Sequence, residues 1–140
     1  MTPMQIALVQ SSFEKVAPIA SDAAALFYRR LFETAPEVRP LFKNDIDEQG
    51  RKLMATLGVV VRNLDQLDAI LPAAAALARR HVDYGVRPEH YAPVGAALLW
   101  TLEQGLGAQF TPDVAEAWAA AYATLSAAMI EAAYPLARTA

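Results

Sequence analysis

The chain has 140 residues, 55% of them hydrophobic, which is enough to bury a core as one domain over 1–140 without covalent staples. Twelve basic against fifteen acidic residues give a formal charge of −3, with no basic excess of the kind that nucleic-acid binders carry. There is no cysteine, which excludes a disulfide framework, a zinc knuckle and a thiolate nucleophile.

In chain order, the first apolar run, Met4 to Val9, has no positive charge before it and is followed by Glu14 and Lys15, so it does not read as a cleaved secretion signal. Charge-free stretches such as Tyr91 to Leu102 fall short of the roughly twenty residues a membrane helix needs. The expectation is a cytoplasmic protein with no membrane span.

Proline falls where helices begin. Thr2-Pro3, Thr34-Ala35-Pro36, Leu71-Pro72, Arg87-Pro88 and Thr111-Pro112 place it in or near a first turn, with threonine as N-cap three times. Between these marks apolar residues recur every three or four positions: Val9, Phe13 and Val16; Ala24, Tyr28 and Leu31; Leu53, Leu57, Val60 and Leu64; Val94, Leu98, Thr101 and Leu102; Trp118, Tyr122, Leu125 and Met129. The spacing predicts helices over 3–17, 21–33, 48–64, 66–83, 88–106 and 112–134 with a short turn at 35–41, an all-α fold. Pro93 moves the regular part of the 88–106 helix to begin near Tyr91. Loop signals lie at Lys43-Asn44-Asp45, at Tyr84-Gly85-Val86 and from Gly105 to Phe110.

Three polar residues sit on faces that should be apolar. Tyr28 shares the stripe of Ala24 and Leu31, Gln49 extends that of Leu53 and Leu57 by one turn, and His81 follows Leu77 by one turn. Each also has an ordinary reading. Tyr28 can be core with its hydroxyl at the surface, Gln49 can be solvated near a helix start, and His81 after Arg79-Arg80 can be a cation favoured by the helix C-terminus. His90, beside Glu89, reads as exposed, and Phe42 after Pro40-Leu41 as a plug under a loop.

Taken together and in order, Leu41-Phe42, Gln49-Gly50-Arg51-Lys52-Leu53-Met54, Arg79-Arg80-His81, Tyr84-Gly85-Val86, His90-Tyr91 and Val94-Gly95-Ala96-Ala97-Leu98-Leu99 resemble the globin family. Within it the chain is most similar to bacterial single-domain globins and to the haem domains of flavohaemoglobins, with some likeness to neuroglobin. The resemblance runs from the first helix to about Tyr134. It implies a globin fold of about seven helices in three-over-three packing around haem b.

By that resemblance His81 is the proximal ligand of the haem iron, and its second ring nitrogen donates to a carbonyl near Leu77. Haem requires only one protein ligand, which suits a chain with two histidines. Tyr28 and Gln49 match the distal pair of the bacterial subgroup, Leu53 the apolar residue one turn beyond, Phe42 the phenylalanine that wedges the haem, and Pro36 the proline that opens the short third helix. Tyr91 matches the tyrosine beside the proximal histidine in flavohaemoglobins. Leu57, Leu77, Val86, Val94 and Leu98 complete the pocket, and Lys52 and Arg80 are the candidates to meet the haem propionates.

The resemblance implies reversible binding of dioxygen, carbon monoxide and nitric oxide at an iron that can be five-coordinate. Hydrogen bonds from Tyr28 and Gln49 to a partly charged ligand contribute roughly 1.5–3 kcal/mol each, and carbon monoxide, less polarised, gains less. The alternatives are nitric oxide dioxygenation re-reduced by a separate reductase, and a helical interaction module without cofactor. Three departures bear on the choice. Ala133 stands where flavohaemoglobins place a glutamate, with Glu131 on another face; no flavin or nicotinamide domain is expected within the 140 residues; and Gln49 replaces the distal histidine of neuroglobin, which excludes bis-histidine ligation from that position. The expected assembly is a monomer or homodimer.

Overall fold

The structure, a computed structural model, describes residues 1–42, 45–83 and 85–133. The loop expected at Lys43-Asn44, Tyr84 and the expected helix end at Tyr134 lie outside the described residues. Among the described residues there are six α-helices and no strand: α1 Pro3–Val16, α2 Ala20–Thr34, α3 Ile46–Arg62, α4 Leu67–Asp83, α5 Tyr91–Leu106 and α6 Pro112–Ala133. The seventh expected element, at 35–41, is a 3₁₀ turn over Pro36–Leu41, where Pro36 and Pro40 deny the backbone a continuous ladder. A second 3₁₀ turn, Pro88–His90, precedes α5, which starts at Tyr91 as Pro93 required.

Capping follows the sequence at two of the three threonines. Thr2 and Gln5 form a reciprocal capping box, the Gln5 N–H donating to Thr2 Oγ1 at 3.1 Å and the Thr2 N–H to Gln5 Oε1 at 3.0 Å. The Val114 N–H donates to Thr111 Oγ1 at 3.3 Å. Thr34, expected as a cap, instead closes α2, its hydroxyl donating back to the Arg30 carbonyl at 3.0 Å, because the helical ladder runs on through an Ala35 N–H bond to the Leu31 carbonyl at 2.8 Å. Pro72 is not in a first turn: it lies at the sixth position of α4, on its exposed side.

α1, α3 and α4 form one group and α2, α5 and α6 the other, the three-over-three arrangement: α4 and α1 pack on α6 and α2 on α3 between the groups, α1 also meets α5, and α2 packs as extensively on α5 within its own group. One core cluster joins Val9 and Val16 of α1, Val61 of α3, Leu102 and Leu106 of α5 and Trp118 of α6. The Trp118 indole is 2% exposed, and its N–H would be orphaned there without the Ser12 hydroxyl, which accepts it at 2.8 Å and itself donates to the Leu8 carbonyl at 2.7 Å.

The packing of α3 decides where a site can form. Its buried residues are Gly50, Gly58 and Val61, while the apolar stripe Leu53, Leu57 and Val60 is only half-buried. A Cβ at Gly50 would stand 2.9 Å from the Ala24 Cβ of α2, so the Gly50 backbone sits directly against the Ala24 methyl. The larger side chains pack only partly covered, Leu57 and Val60 against the cluster of Val9 and Trp118 and Leu53 against that of Tyr28. Gly50→Val should force these helices apart and destabilise the fold by about 1–3 kcal/mol, read as a lowered midpoint in urea unfolding; an unchanged midpoint would show that the contact is not tight.

Candidate functional site

The Gly50–Ala24 contact brings Tyr28 of α2 beside the first turn of α3. Tyr28 is 3% exposed, in a cluster with Phe27, Leu31, Phe42, Leu53, Val94 and Leu98. Its ring meets those of Phe27 and Phe42 edge-on, with centroids 5.0 and 5.3 Å away, and stacks on Phe32 at 6.0 Å. Phe27 and Phe32 were not picked out from the sequence, although Phe32 stands four residues after Tyr28 on the same helix face. The Tyr28 hydroxyl donates to the Gln49 backbone carbonyl at 3.5 Å, a long and therefore weak bond. Burial pushes the phenol up to about 12, with the Gln49 side chain acting the other way. At neutral pH Tyr28 is therefore a protonated donor, loosely committed to its present acceptor, with half-buried Gln49 alongside.

The second wall is built by the end of α4. His81 is half-buried, and its Nδ1 lies 2.7 Å from the Leu77 carbonyl oxygen, which accepts the Nδ1 proton and orients the ring. That bond is the one expected from the resemblance. The helix stops one turn later in a Schellman motif: the Val86 N–H donates to the His81 carbonyl at 2.9 Å and the Gly85 N–H to the Val82 carbonyl at 3.0 Å. Gly85 has φ +95°, a conformation that glycine adopts without strain. Leu77, Val86 and Tyr91 then share one cluster with Ala78 and Met129.

Ala133, the position counted from the sequence, packs against the cluster that contains Tyr91, and Glu131 is exposed. Tyr122 of α6 adds a contact that the sequence did not flag, its hydroxyl donating to the Tyr91 carbonyl at 2.6 Å. Lys52 is exposed and pairs with Glu48 at 3.8 Å, and Arg80 is exposed as well. His90, expected at the surface, is 9% exposed: its Nδ1 accepts the Arg87 N–H at 3.0 Å, which turns the ring inward to cap the Pro88–His90 turn.

Consecutive α3 and α4 pack chiefly on different helices, α3 on α2 and α4 on α6. Leu53, Val94 and Leu98 pack with Tyr28, Leu57 packs against the cluster of Val9 and Trp118, and Leu77 and Val86 pack with Tyr91, all of them half-buried. A Cβ on Gly85 would lie 3.2 Å from the Leu41 side chain, so the end of α4 comes close to the turn that precedes Phe42. Among the described residues no three of His, Cys, Asp and Glu gather into a set that would hold a metal ion. Partly covered apolar side chains on α3, α4 and α5, with one oriented imidazole among them, suit a flat apolar group whose iron brings its other ligands with it.

The buried phenols also fix a pH response. Burial raises Tyr28 to about 12 and pushes Tyr122 up as well, the nearby Tyr91 adding to the latter. The unfolded chain loses these protons near pH 10 while the folded chain keeps them, so folding stability should fall as pH rises from about 10 to 12. Urea midpoints across that range, compared with those of the double variant Tyr28→Phe/Tyr122→Phe, check it: a slope as steep in the variant would assign the loss elsewhere.

Comparison with known proteins agrees with this architecture. The Globin family model matches residues 25–129. A flavohemoprotein of Pseudomonas aeruginosa is 41% identical over 110 residues, covering 76% of this chain and 28% of that protein. The chain spans about a third of the length of the curated relatives it matches. Among solved structures, a bacterial globin from Campylobacter jejuni aligns with a TM-score of 0.85 at 26% identity, covering 98% of this chain and 99% of that one. An engineered carbene transferase made from a putative nitric oxide dioxygenase of Rhodothermus marinus aligns with a TM-score of 0.88, also at 26% identity, covering 99% and 97%. No helix among the described residues is long and apolar enough to cross a membrane. With the helix order, the three-over-three packing and the family match in agreement, the chain belongs to the globin family.

Proposed function

We propose that this globin holds haem b in the slot between α3 and α4, with His81 as the protein ligand of the iron, and binds dioxygen, carbon monoxide and nitric oxide reversibly on the side of Tyr28 and Gln49. The observation that carries the reading is the pair of prepared groups, an imidazole oriented through a 2.7 Å bond to Leu77 and a buried phenol kept protonated; that they face each other across the haem is part of the proposal. Haem supplies the iron on which a diatomic gas is held.

The chain's own part is binding, orientation and exclusion of water. Leu77 holds the His81 ring through Nδ1, which aims Nε2 into the slot and raises its basicity. Tyr28 and Gln49 offer donors to a gas that takes up negative charge, and contribute most to dioxygen. Phe42, Leu53 and Leu98 keep that donor pair in an apolar surround, where a hydrogen bond is worth more than in water. Lys52 and Arg80, both exposed, are the cations we assign to the propionate edge.

Nitric oxide dioxygenation with a separate reductase is the second reading, supported by the flavohemoprotein relatives and the Rhodothermus neighbour. Ala133, packed against the cluster that contains Tyr91, favours the binding role, because by the resemblance it stands where flavohaemoglobins place the glutamate that strengthens the proximal side. Absorption spectra of the purified chain supplied with haem, taken ferric, ferrous and with dioxygen, test the proposal. A Soret band with a reversible dioxygen form is expected; its absence would leave a helical interaction module. Sustained nitrate production with nitric oxide and a cell reductase would promote the enzymatic reading, and a halt after the first turnover would reject it for the conditions tested.

A further inference from the structure

We propose that His90 is a pH-sensitive latch on the turn between α4 and α5, opening when Nδ1 takes up a proton and thereby adjusting the wall of the slot that carries His81. The latch itself stands on the turn's geometry, while its effect on gas binding rests on the reading of His81 as the haem ligand.

Several hydrogen bonds of the described residues hold the segment from Val82 to Tyr91. Those that join backbone groups do not respond to pH: Gly85 N–H to Val82 O at 3.0 Å, Val86 N–H to His81 O at 2.9 Å, His90 N–H to Arg87 O at 3.0 Å and Tyr91 N–H to Pro88 O. Another runs from the Arg87 N–H to His90 Nδ1 at 3.0 Å and exists only while that nitrogen keeps its lone pair. A proton on Nδ1 sets one N–H against another, so the bond breaks. It also puts a charge on a ring that is 9% exposed, and the charged ring gains by swinging out to water. Histidine is the side chain whose charge ordinarily changes between about pH 5 and 8.

Among the described side chains no carboxylate pairs with the His90 ring. On the turn itself Arg87 and Glu89 pair with each other at 3.6 Å, both largely exposed. α5, the element packed on the turn, brings only Tyr91 as a titratable group before Glu103, and Arg79 and Arg80 near the end of α4 are exposed. The route to the slot is short. The turn begins directly after Val86, whose amide bonds to the His81 carbonyl and whose side chain packs in one cluster with Leu77 and Tyr91. Leu77 is in turn the residue that orients the His81 ring.

The test uses the haem-loaded protein and two variants. His90→Gln keeps an acceptor at the third position of the turn, where a glutamine commonly reaches back to the cap N–H, and is insensitive to pH. His90→Leu removes the acceptor at every pH. Hydrogen exchange at the Arg87 amide, referred to its intrinsic rate, should lose about fivefold protection in the natural chain between pH 8 and 5, stay protected in the glutamine variant and stay unprotected in the leucine variant. Carbon monoxide association, used as the probe of the slot, should change over the same range in the natural chain and not in His90→Gln. An identical pH response of Arg87 in the natural chain and His90→Gln would overturn the latch. A latch that titrates with no difference in carbon monoxide association would overturn its coupling to the His81 wall. The Arg87 measurement can be read whether or not His81 proves to be the ligand, so the two readings fail separately.

Discussion

His81→Ala should leave a folded protein that no longer retains haem. The fold should persist, because alanine is the best helix former and the Schellman motif that ends α4 uses the backbone of residue 81, not its ring. What goes is the single oriented nitrogen, since no other described residue brings an imidazole to the slot: His90 spends its Nδ1 on the Arg87 amide in the turn beyond it. Desalting after haem loading should strip the pigment from His81→Ala while helical circular dichroism stays near that of the natural chain. Imidazole added to the buffer should restore a Soret band, because the space of the lost ring and the Leu77 carbonyl that held it both remain. His90→Ala is the control: it removes one hydrogen bond, at a cost of about 1 kcal/mol in stability, and should keep its haem. Equal haem loss in the two variants would refute the assignment of His81.

Tyr28→Phe should release dioxygen roughly ten- to a hundredfold faster, the factor that follows from losing a hydrogen bond of about 1.5–3 kcal/mol to a charged acceptor. The substitution is close to a deletion of one oxygen atom. The ring keeps its contacts with Phe27, Phe32 and Phe42, and the bond it gives up in the unliganded site is the long one to the Gln49 carbonyl. Stability should therefore change little, so a faster off-rate would report on the ligand and not on a loosened pocket. Carbon monoxide, less polarised, should respond less. Stopped-flow displacement of dioxygen measures the effect directly, and an off-rate equal to that of the natural chain would mean that the phenol does not reach the gas. Because the phenol stays protonated to about pH 12, the Tyr28 contribution itself should not titrate across the neutral range. A pH dependence there would have to come from elsewhere, and the His90 latch is where we place it.

The two variants probe opposite walls, and those walls were not equally legible. The Tyr28 side was partly visible in the one-dimensional pattern: Ala24, Tyr28 and Leu31 fall at helical spacing and all three are buried. The α3 stripe was legible as well, and the resemblance assigned Leu53 and Leu57 to the pocket; both are half-buried, and what the stripe did not tell is that Gly50 and Gly58 are the buried contacts of α3 with α2 and α1. A glycine in a helix carries no periodic signal, so nothing local announces that it is the contact point. His90 was misread for a related reason. Its neighbours Glu89 and Arg87 are polar and exposed, and only the fold of the turn brings the Arg87 amide within reach of the ring.

The sequence by itself determined the helices, their caps at Thr2 and Thr111, the start of α5 at Tyr91 and the residue types that can serve iron and gas. These follow from interactions within a few residues along the chain: capping, proline geometry and apolar spacing on one helix face. The tertiary structure decided which faces meet. Trp118 and Ser12, bonded at 2.8 Å, lie 106 positions apart in sequence, and the Tyr28 hydroxyl and Gln49 lie 21 apart. Close packing selects such pairs by shape and volume across separate helices, a property no single segment encodes. That selection is what brings the Tyr28 hydroxyl to the first turn of α3 and the Ser12 hydroxyl under the Trp118 indole.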